Sequence, residues 1–328
     1  MRNLCILLTI LAGLALAPAC KKEKHKKSKV QMERGDGAEA LFDAIIAGHT
    51  NNVQDILNDH PGYINARNED EDTPLIVASK YDNPDIVQEL LDKGADVNAT
   101  NDIGNTALIL ASERGHSDVA QALINAQADV NIANNHDHTA LMYASAKGYA
   151  DVAQELINAH ADVNAATIGG DTALIFASIK GYANIAQALI DAQADVNIAN
   201  NNGRTALIFA SVKGYAYIAQ ELINAHADVN AASIGGNTAL IYASIKGYAD
   251  IAQALIDAHA DLNIANNNGR TALIHASIKG YADIAQALIE AQADLGAADN
   301  RNRTALRWAL RRGHNEIAAL LREHVARE

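Results

Sequence analysis

The 328-residue chain has only two cysteines, Cys5 and Cys20, and both fall within its first 20 residues. Everything beyond residue 20 therefore has no disulfide of its own and no thiol chemistry to offer. Catalytic signatures are missing as well: there is no His-Glu-x-x-His, no phosphate loop, no dinucleotide fingerprint ahead of a strand and no serine elbow. Asp and Asn crowd the polar segments but lack the alternating spacing and closing glutamate of a calcium loop, so turn formation accounts for them. Basic residues are scarce in the body of the chain. Eight of the 26 Lys and Arg and two of the 39 Asp and Glu lie in the first 34 residues, which leaves 18 basic against 37 acidic beyond them, near −19 with histidine neutral. So acidic a body repels phosphate backbones, which argues against nucleic acid as a partner and favours solubility and basic partners. The apolar run from Leu4 to Ala17 is too short to span a bilayer comfortably.

What the chain does contain is a beat. Thr73, Thr106, Thr139, Thr172, Thr205, Thr238, Thr271 and Thr304 stand 33 residues apart without a slip, and seven of the eight are followed by Ala-Leu. A fixed period between about 20 and 50 residues marks a stacked repeat architecture.

Thr238 to Asn263 shows one unit in full. Leu240, Ala243 and Ser244 share a face at i, i+3 and i+4 of a short first helix, which Gly247 stops where a left-handed residue is wanted. Asp250 is placed to cap a second helix with an apolar stripe of Ile251, Ala252, Leu255 and Ile256. Such a pair buries too little apolar surface to offset its chain entropy alone and must pack against like pairs on both sides. Ala-Asp-Leu-Asn and a polar run ending at Gly269 then read as a protruding turn.

These features resemble the ankyrin-repeat family. Its Thr-Pro-Leu opening stands at Thr73-Pro74-Leu75, and its closing Gly-Ala-Asp-Val-Asn-Ala stands whole at Gly94 to Ala99. The resemblance implies an all-α solenoid of about nine stacked helix-turn-helix repeats over 37–328, at about 37–68, 69–101, 102–134, 135–167, 168–200, 201–233, 234–266, 267–299 and 300–328. Most copies read Thr-Ala-Leu-Ile, so the family's helix-starting proline and loop-bonding histidine are absent, as at Ala206 and Ile208. The glycine that usually ends the second helix is replaced by Gln127, His160, Gln193, His226, His259 or Gln292. In a left-handed conformation each costs up to about 1 kcal/mol relative to glycine.

Residues 1–19 read as a secretory signal: Arg2, the apolar run, then Ala17-Pro18-Ala19 before Cys20. Cys20 resembles the lipidated acceptor of a bacterial lipoprotein, although a leucine is more usual where Ala17 stands. Simple secretion and an uncleaved anchor are the alternatives, the last because six lysines from Lys21 to Lys29 outnumber Arg2. Residues 20–36 read as a charged tether without apolar periodicity.

Between Asn131 and Arg270 the loops alternate with a 66-residue super-period. IANNHDH, IANNNGR and IANNNGR begin at Ile132, Ile198 and Ile264, whereas AATIGGD and AASIGGN begin at Ala165 and Ala231. Duplication of a two-repeat block explains this and leaves two kinds of loop tip. Seven arginines from Arg301 to Arg327 surround Trp308 in the last repeat, as the polar outer face of a terminal repeat or as a basic docking patch. His160, His226 and His259 form a column, but packed helices lie about 8 to 10 Å apart, too far for neighbours to share one zinc. Tyr149, Tyr182, Tyr215, Tyr248 and Tyr281 form another column, expected to stack between neighbouring loops.

The resemblance implies a binding face made of loop tips and the open side of the first helix. Ile179, Val212, Ile245 and Ile278 fall there, each followed by Lys180, Lys213, Lys246 or Lys279, with Ile168, Asp171, Arg204, Ile234, Asn237 and Arg270 at the tips. The isoleucines serve packing between repeats equally well, and a lysine in a last helical turn also complements the helix dipole. The expected function is a non-enzymatic scaffold that binds protein through an extended or repetitive segment. It is monomeric, without cofactor or metal, exported to a bacterial envelope or periplasm, and joined to the membrane only through Cys20. A secreted effector that binds host proteins and a structural spacer are the alternatives.

Overall fold

The computed structural model describes residues 38–326. The expected signal at 1–19, Cys20 and the tether to residue 36 lie outside the described residues.

Among the described residues nine helix pairs follow one another. They are α1 (Glu39–Ile46) with α2 (Thr50–Asp59), α3 (Pro74–Lys80) with α4 (Pro84–Asp92), α5 (Ala107–Arg114) with α6 (Ser117–Asn125), and α7 (Ala140–Lys147) with α8 (Ala150–Asn158). Then come α9 (Ala173–Lys180) with α10 (Ala183–Asp191), α11 (Ala206–Lys213) with α12 (Ala216–Asn224), and α13 (Ala239–Lys246) with α14 (Ala249–Asp257). The last are α15 (Ala272–Lys279) with α16 (Ala282–Glu290) and α17 (Ala305–Arg312) with α18 (Asn315–Val325). Each first helix packs on the next first helix and each second helix on the next second helix. This is the all-α repeat solenoid expected from the period. Among the described residues the only β pairing is three isolated bridges, Ala166 to Thr172, Ala232 to Thr238 and Ala298 to Thr304.

The threonine beat is a row of helix caps. In all eight copies the Thr Oγ1 accepts from the amide three residues on, at 3.2 to 3.4 Å, satisfying a donor that the helix start leaves open. At the other end Gly247 takes φ +83° as expected, and a Cβ there would lie 2.7 Å from the ring of Tyr281. The same holds for Gly181 under Tyr215, at 2.6 Å. The tyrosine column therefore seats each ring on the glycine of the preceding repeat, so that glycine is fixed by backbone conformation and by close approach together.

Asp250 does not cap the second helix. That cap is Tyr248, with no side-chain hydrogen bond, and Asp250 sits one residue inside the start of α14. There its charge faces the positive end of the helix dipole, which explains an acid at this place without a cap. Gln127, His160, Gln193, His226, His259 and Gln292 do take left-handed backbone, with φ from +60° to +64°.

Two ladders tie the repeats together. In the Ala-Asp-x-Asn segment the Asp side chain accepts from the amide two residues on, as Asp195 does from Asn197 at 2.9 Å. The Asp amide in turn donates to the Asn Oδ1 of the repeat before it. Seven such bonds, from Asp96 to Asn65 through Asp294 to Asn263, span 2.7 to 2.9 Å. Gly296 stands where the next asparagine would fall, and the position one period after Asp294 is Arg327. A second ladder of backbone bonds joins the loop tips, for example Asn201 N to Gly169 O at 2.9 Å and Ile234 N to Asn202 O at 3.0 Å.

Inside the stack runs a column of serines, Ser79, Ser112, Ser145, Ser178, Ser211, Ser244 and Ser277, each 0% exposed and each with an Oγ that has no hydrogen-bond partner. Small size explains the choice, since first helices meet here, but an unpaired buried hydroxyl costs about 1 to 3 kcal/mol. Replacing Ser211→Ala should therefore raise the urea midpoint, by about 1 kcal/mol of unfolding free energy. A lower midpoint would show that the hydroxyl is paired in solution.

Candidate functional site: the open face of the first helices

Each first helix turns most of its surface inward. In α9, Ala173, Leu174, Ile175, Ala177 and Ser178 are buried, which leaves Phe176 and Ile179 half-buried and Lys180 exposed. These three lie at i, i+3 and i+4 and share one open face. The pattern recurs as Phe209, Val212 and Lys213, and as Tyr242, Ile245 and Lys246. Upstream it reads Tyr143, Ala146 and Lys147, and downstream Ile278 and Lys279 follow a His275 that is buried. Ile179, Val212, Ile245 and Ile278 are half-buried and pack against the core while keeping an exposed edge. Lys180, Lys213, Lys246 and Lys279 are exposed and make no salt bridge among the described residues. The aromatic column was the missed element. Its signal was present, because residues 143, 176, 209, 242 and 308 are all aromatic and fall four places after the capping threonine.

The tips divide into two kinds. Asp171 Oδ1 accepts from Asn200 Nδ2 and Asn237 Oδ1 from Asn266 Nδ2, both at 2.8 Å, so these two acceptors are held by the following repeat. At the alternate tips a cationic or ring side chain leans between aromatics instead. The Arg204 guanidinium carbon lies 5.7 Å from the ring centres of both Phe209 and Tyr242, and its Nη2 donates to the Tyr242 hydroxyl at 3.3 Å. His138 sits likewise between Tyr143 and Phe176, at 5.3 and 5.9 Å. Arg270 lies 5.2 Å from the Trp308 ring and 3.7 Å from Asp299. Asp171, Asn237, Arg204 and Arg270 thus join neighbouring repeats. Ile168 and Ile234 differ, being 66% and 69% exposed at the tips.

The same column gives opposite electrostatics at different repeats. Burial pushes the Tyr143 phenol above its ordinary value, with Glu113 adding to the shift against the hydrogen bond from Asn134. Burial acts the same way on Tyr242, but hydrogen bonds with Ser233 and Asn237 and the charge of Arg204 outweigh it and bring that phenol below its ordinary value. Burial, together with the positive charges of Arg270 and Lys279, lowers His275 to about 4.

Among the described residues no three His, Cys, Asp or Glu side chains come together as a metal site. His160, His226 and His259 stand exposed at the ends of their second helices.

Repeat length, paired helices and hairpin tips converge with the comparisons. A family model described as ankyrin repeats (3 copies) matches residues 96–167, 162–233, 220–299 and 240–327, and one described as ankyrin repeats (many copies) matches 58–111. The chain belongs to the ankyrin-repeat family. A search among curated proteins finds no match. Ankyrin repeats mediate protein–protein interaction and the proteins built from them are generally non-enzymatic scaffolds, which makes this ankyrin array a protein-binding scaffold.

His275 gives the face a pH signature. Its folded pKa of about 4 lies below the ordinary 6.5, so between those values the unfolded chain binds the extra proton. Stability must then fall as the pH drops through that window, by on the order of 3 kcal/mol at the acid end. His275→Phe, which copies the residue at 176 and 209, should flatten this part of the curve of unfolding free energy against pH. An unchanged slope would place the acid sensitivity elsewhere.

Proposed function

We propose that the array grips an extended protein segment carrying both acidic and apolar side chains, laid along the open face of α9, α11, α13 and α15. The observation that supports this is the continuous stripe of Phe176, Phe209 and Tyr242 beside Ile179, Val212, Ile245 and Ile278, edged by the unpaired Lys180, Lys213, Lys246 and Lys279. Ile168 and Ile234 extend the apolar surface to the tips. Near-identical repeats make the groove repetitive, which suits an extended or repetitive ligand. Since one repeat adds about 8 to 10 Å and an extended chain about 3.3 Å per residue, each repeat faces about three ligand residues. Changing Lys180→Glu, Lys213→Glu and Lys246→Glu together should cut capture of protein from a crosslinked cell extract at least tenfold while leaving the helical circular dichroism unchanged. Equal capture would remove the groove from the function.

In the same reading the array acts as a monomeric adaptor at a bacterial envelope, exported by residues 1–19 and tethered through a lipidated Cys20. The apolar run ahead of Ala17-Pro18-Ala19-Cys20 supports export, and the lysine-rich segment behind it supports a spacer between anchor and array. Cys20→Ser should move the protein from the membrane to the soluble fraction, and globomycin should leave the uncleaved form. A soluble wild-type protein outside the cell would favour a secreted effector instead.

A further inference from the structure

The open face changes chemistry at its C-terminal end. Where α9 carries Phe176, Ile179 and Lys180, α17 carries Trp308, Arg311 and Arg312. The adjoining loops of two successive repeats add Arg270, Arg301 and Arg303, which with Trp308 and Arg311 line a cavity of about 350 Å³. That is within the range of about 300 to 1,000 Å³ typical of small-ligand sites.

Asp299 is the one carboxylate lining this cavity, and it is 4% exposed. Its oxygens are already occupied. Arg303 Nε and Nη2 reach Oδ2 at 2.9 and 2.7 Å, Trp308 Nε1 donates to it at 3.0 Å, and the amides of Arg301 and Arg303 donate to Oδ1 at 3.0 and 3.1 Å. Arg303 also lies 4.1 Å from the Trp308 ring centre, so it is committed to holding the pocket wall. Arg270 only approaches the same carboxylate, at 3.7 Å, and its buried Nε has no hydrogen-bond partner. The Arg301 and Arg311 side chains make no salt bridge among the described residues, and the Arg311 guanidinium carbon lies 5.5 Å from the Trp308 ring centre.

Four guanidiniums therefore line the cavity against a single carboxylate, which only Arg303 and Arg270 approach. A terminal repeat needs a polar outer face, but that need is met by mixed charges and does not call for cations of one sign gathered in a concavity, where they repel one another. Guanidinium forks match phosphoryl and carboxylate oxygens two at a time, and do so best when partly desolvated. We propose that this cavity binds a compact anion with two or three clustered charges, on phosphoryl or carboxylate oxygens, held by Arg270, Arg301 and Arg311. The site is independent of whether protein occupies the rest of the groove.

Trp308 is the only tryptophan in the chain and lines the cavity, so its emission reports occupancy directly. Titrating the full chain with pyrophosphate, with citrate and with a tetra-aspartate peptide, each against sodium chloride of equal ionic strength, should give a saturable change with at least one of the three and none with chloride. Response to pyrophosphate alone assigns the site to phosphoryl groups, and response to citrate or the peptide assigns it to free or peptide-borne carboxylates. Arg301→Gln and Arg311→Gln should each weaken binding at least tenfold. Arg301→Gln is the safer variant, because among the described residues its side chain makes no hydrogen bond or salt bridge. No saturable response to any probe, a response that chloride reproduces, or equal affinity in both variants would overturn the assignment.

Discussion

Lateral contact between repeats is the constraint on which everything else rests. The helices of the central repeats have eight and nine residues, whereas isolated helices shorter than about 12 to 15 residues are marginal in water. Threonine caps and left-handed glycines define where each helix starts and stops but do not make it stable. Stability comes from burying Leu240, Ile241 and Ala243 of the first helix, and Ile251, Ala252 and Leu255 of the second, as these helices pack on those of adjacent repeats. Close approach has costs: Ser244 is used with its hydroxyl unpaired, and a glycine is needed beneath each tyrosine. In a stack where each repeat touches only its neighbours, stability sums over interfaces, so such costs are tolerated when repeated contacts outweigh them.

The 66-residue super-period has a physical reading that a count of residues does not give. A tip residue and the group that satisfies it are 29 or 38 residues apart, in successive repeats, as with Asp171 and Asn200 or Arg204 and Tyr242. Copying one repeat alone would set the equivalent of Thr167 where Asn200 now stands. That hydroxyl accepts from the amide of its own Asp171 at 3.1 Å, and its one O–H sits on a side chain shorter than the Asn200 carboxamide, whose Nδ2 reaches Asp171 at 2.8 Å. Copying two repeats preserves both kinds of interface, one bonded through carboxamides and one built on a cation between rings. The block that was duplicated is thus the smallest unit whose ends are complementary in both senses.

Much of this was legible because it is local. The stop at Gly247 and the left-handed Gln and His residues follow from conformational preferences within one repeat. Asp250 was misplaced by two residues, because the second helix begins directly after the tyrosine and needs no side-chain cap when that ring is fixed on its neighbour. The engagement of Asp171, Asn237, Arg204 and Arg270 was not legible for the opposite reason. Their partners lie one repeat away, and a unit read by itself shows them as free tips.

Charge adds a further condition on recognition. The array as a whole is strongly acidic, yet its open face carries a row of lysines and ends in an arginine-lined cavity. An approaching anionic segment meets repulsion from carboxylates spread over the whole surface and attraction from cations within contact distance. Salt at physiological strength screens charges beyond about 8 Å, so it weakens the distant repulsion more than the contact pairs. The local row can then dominate in a medium where net charge alone would forbid binding. An acidic body with a basic stripe consequently selects ligands that can reach the stripe itself, and rejects polyanions too broad or too stiff to enter it.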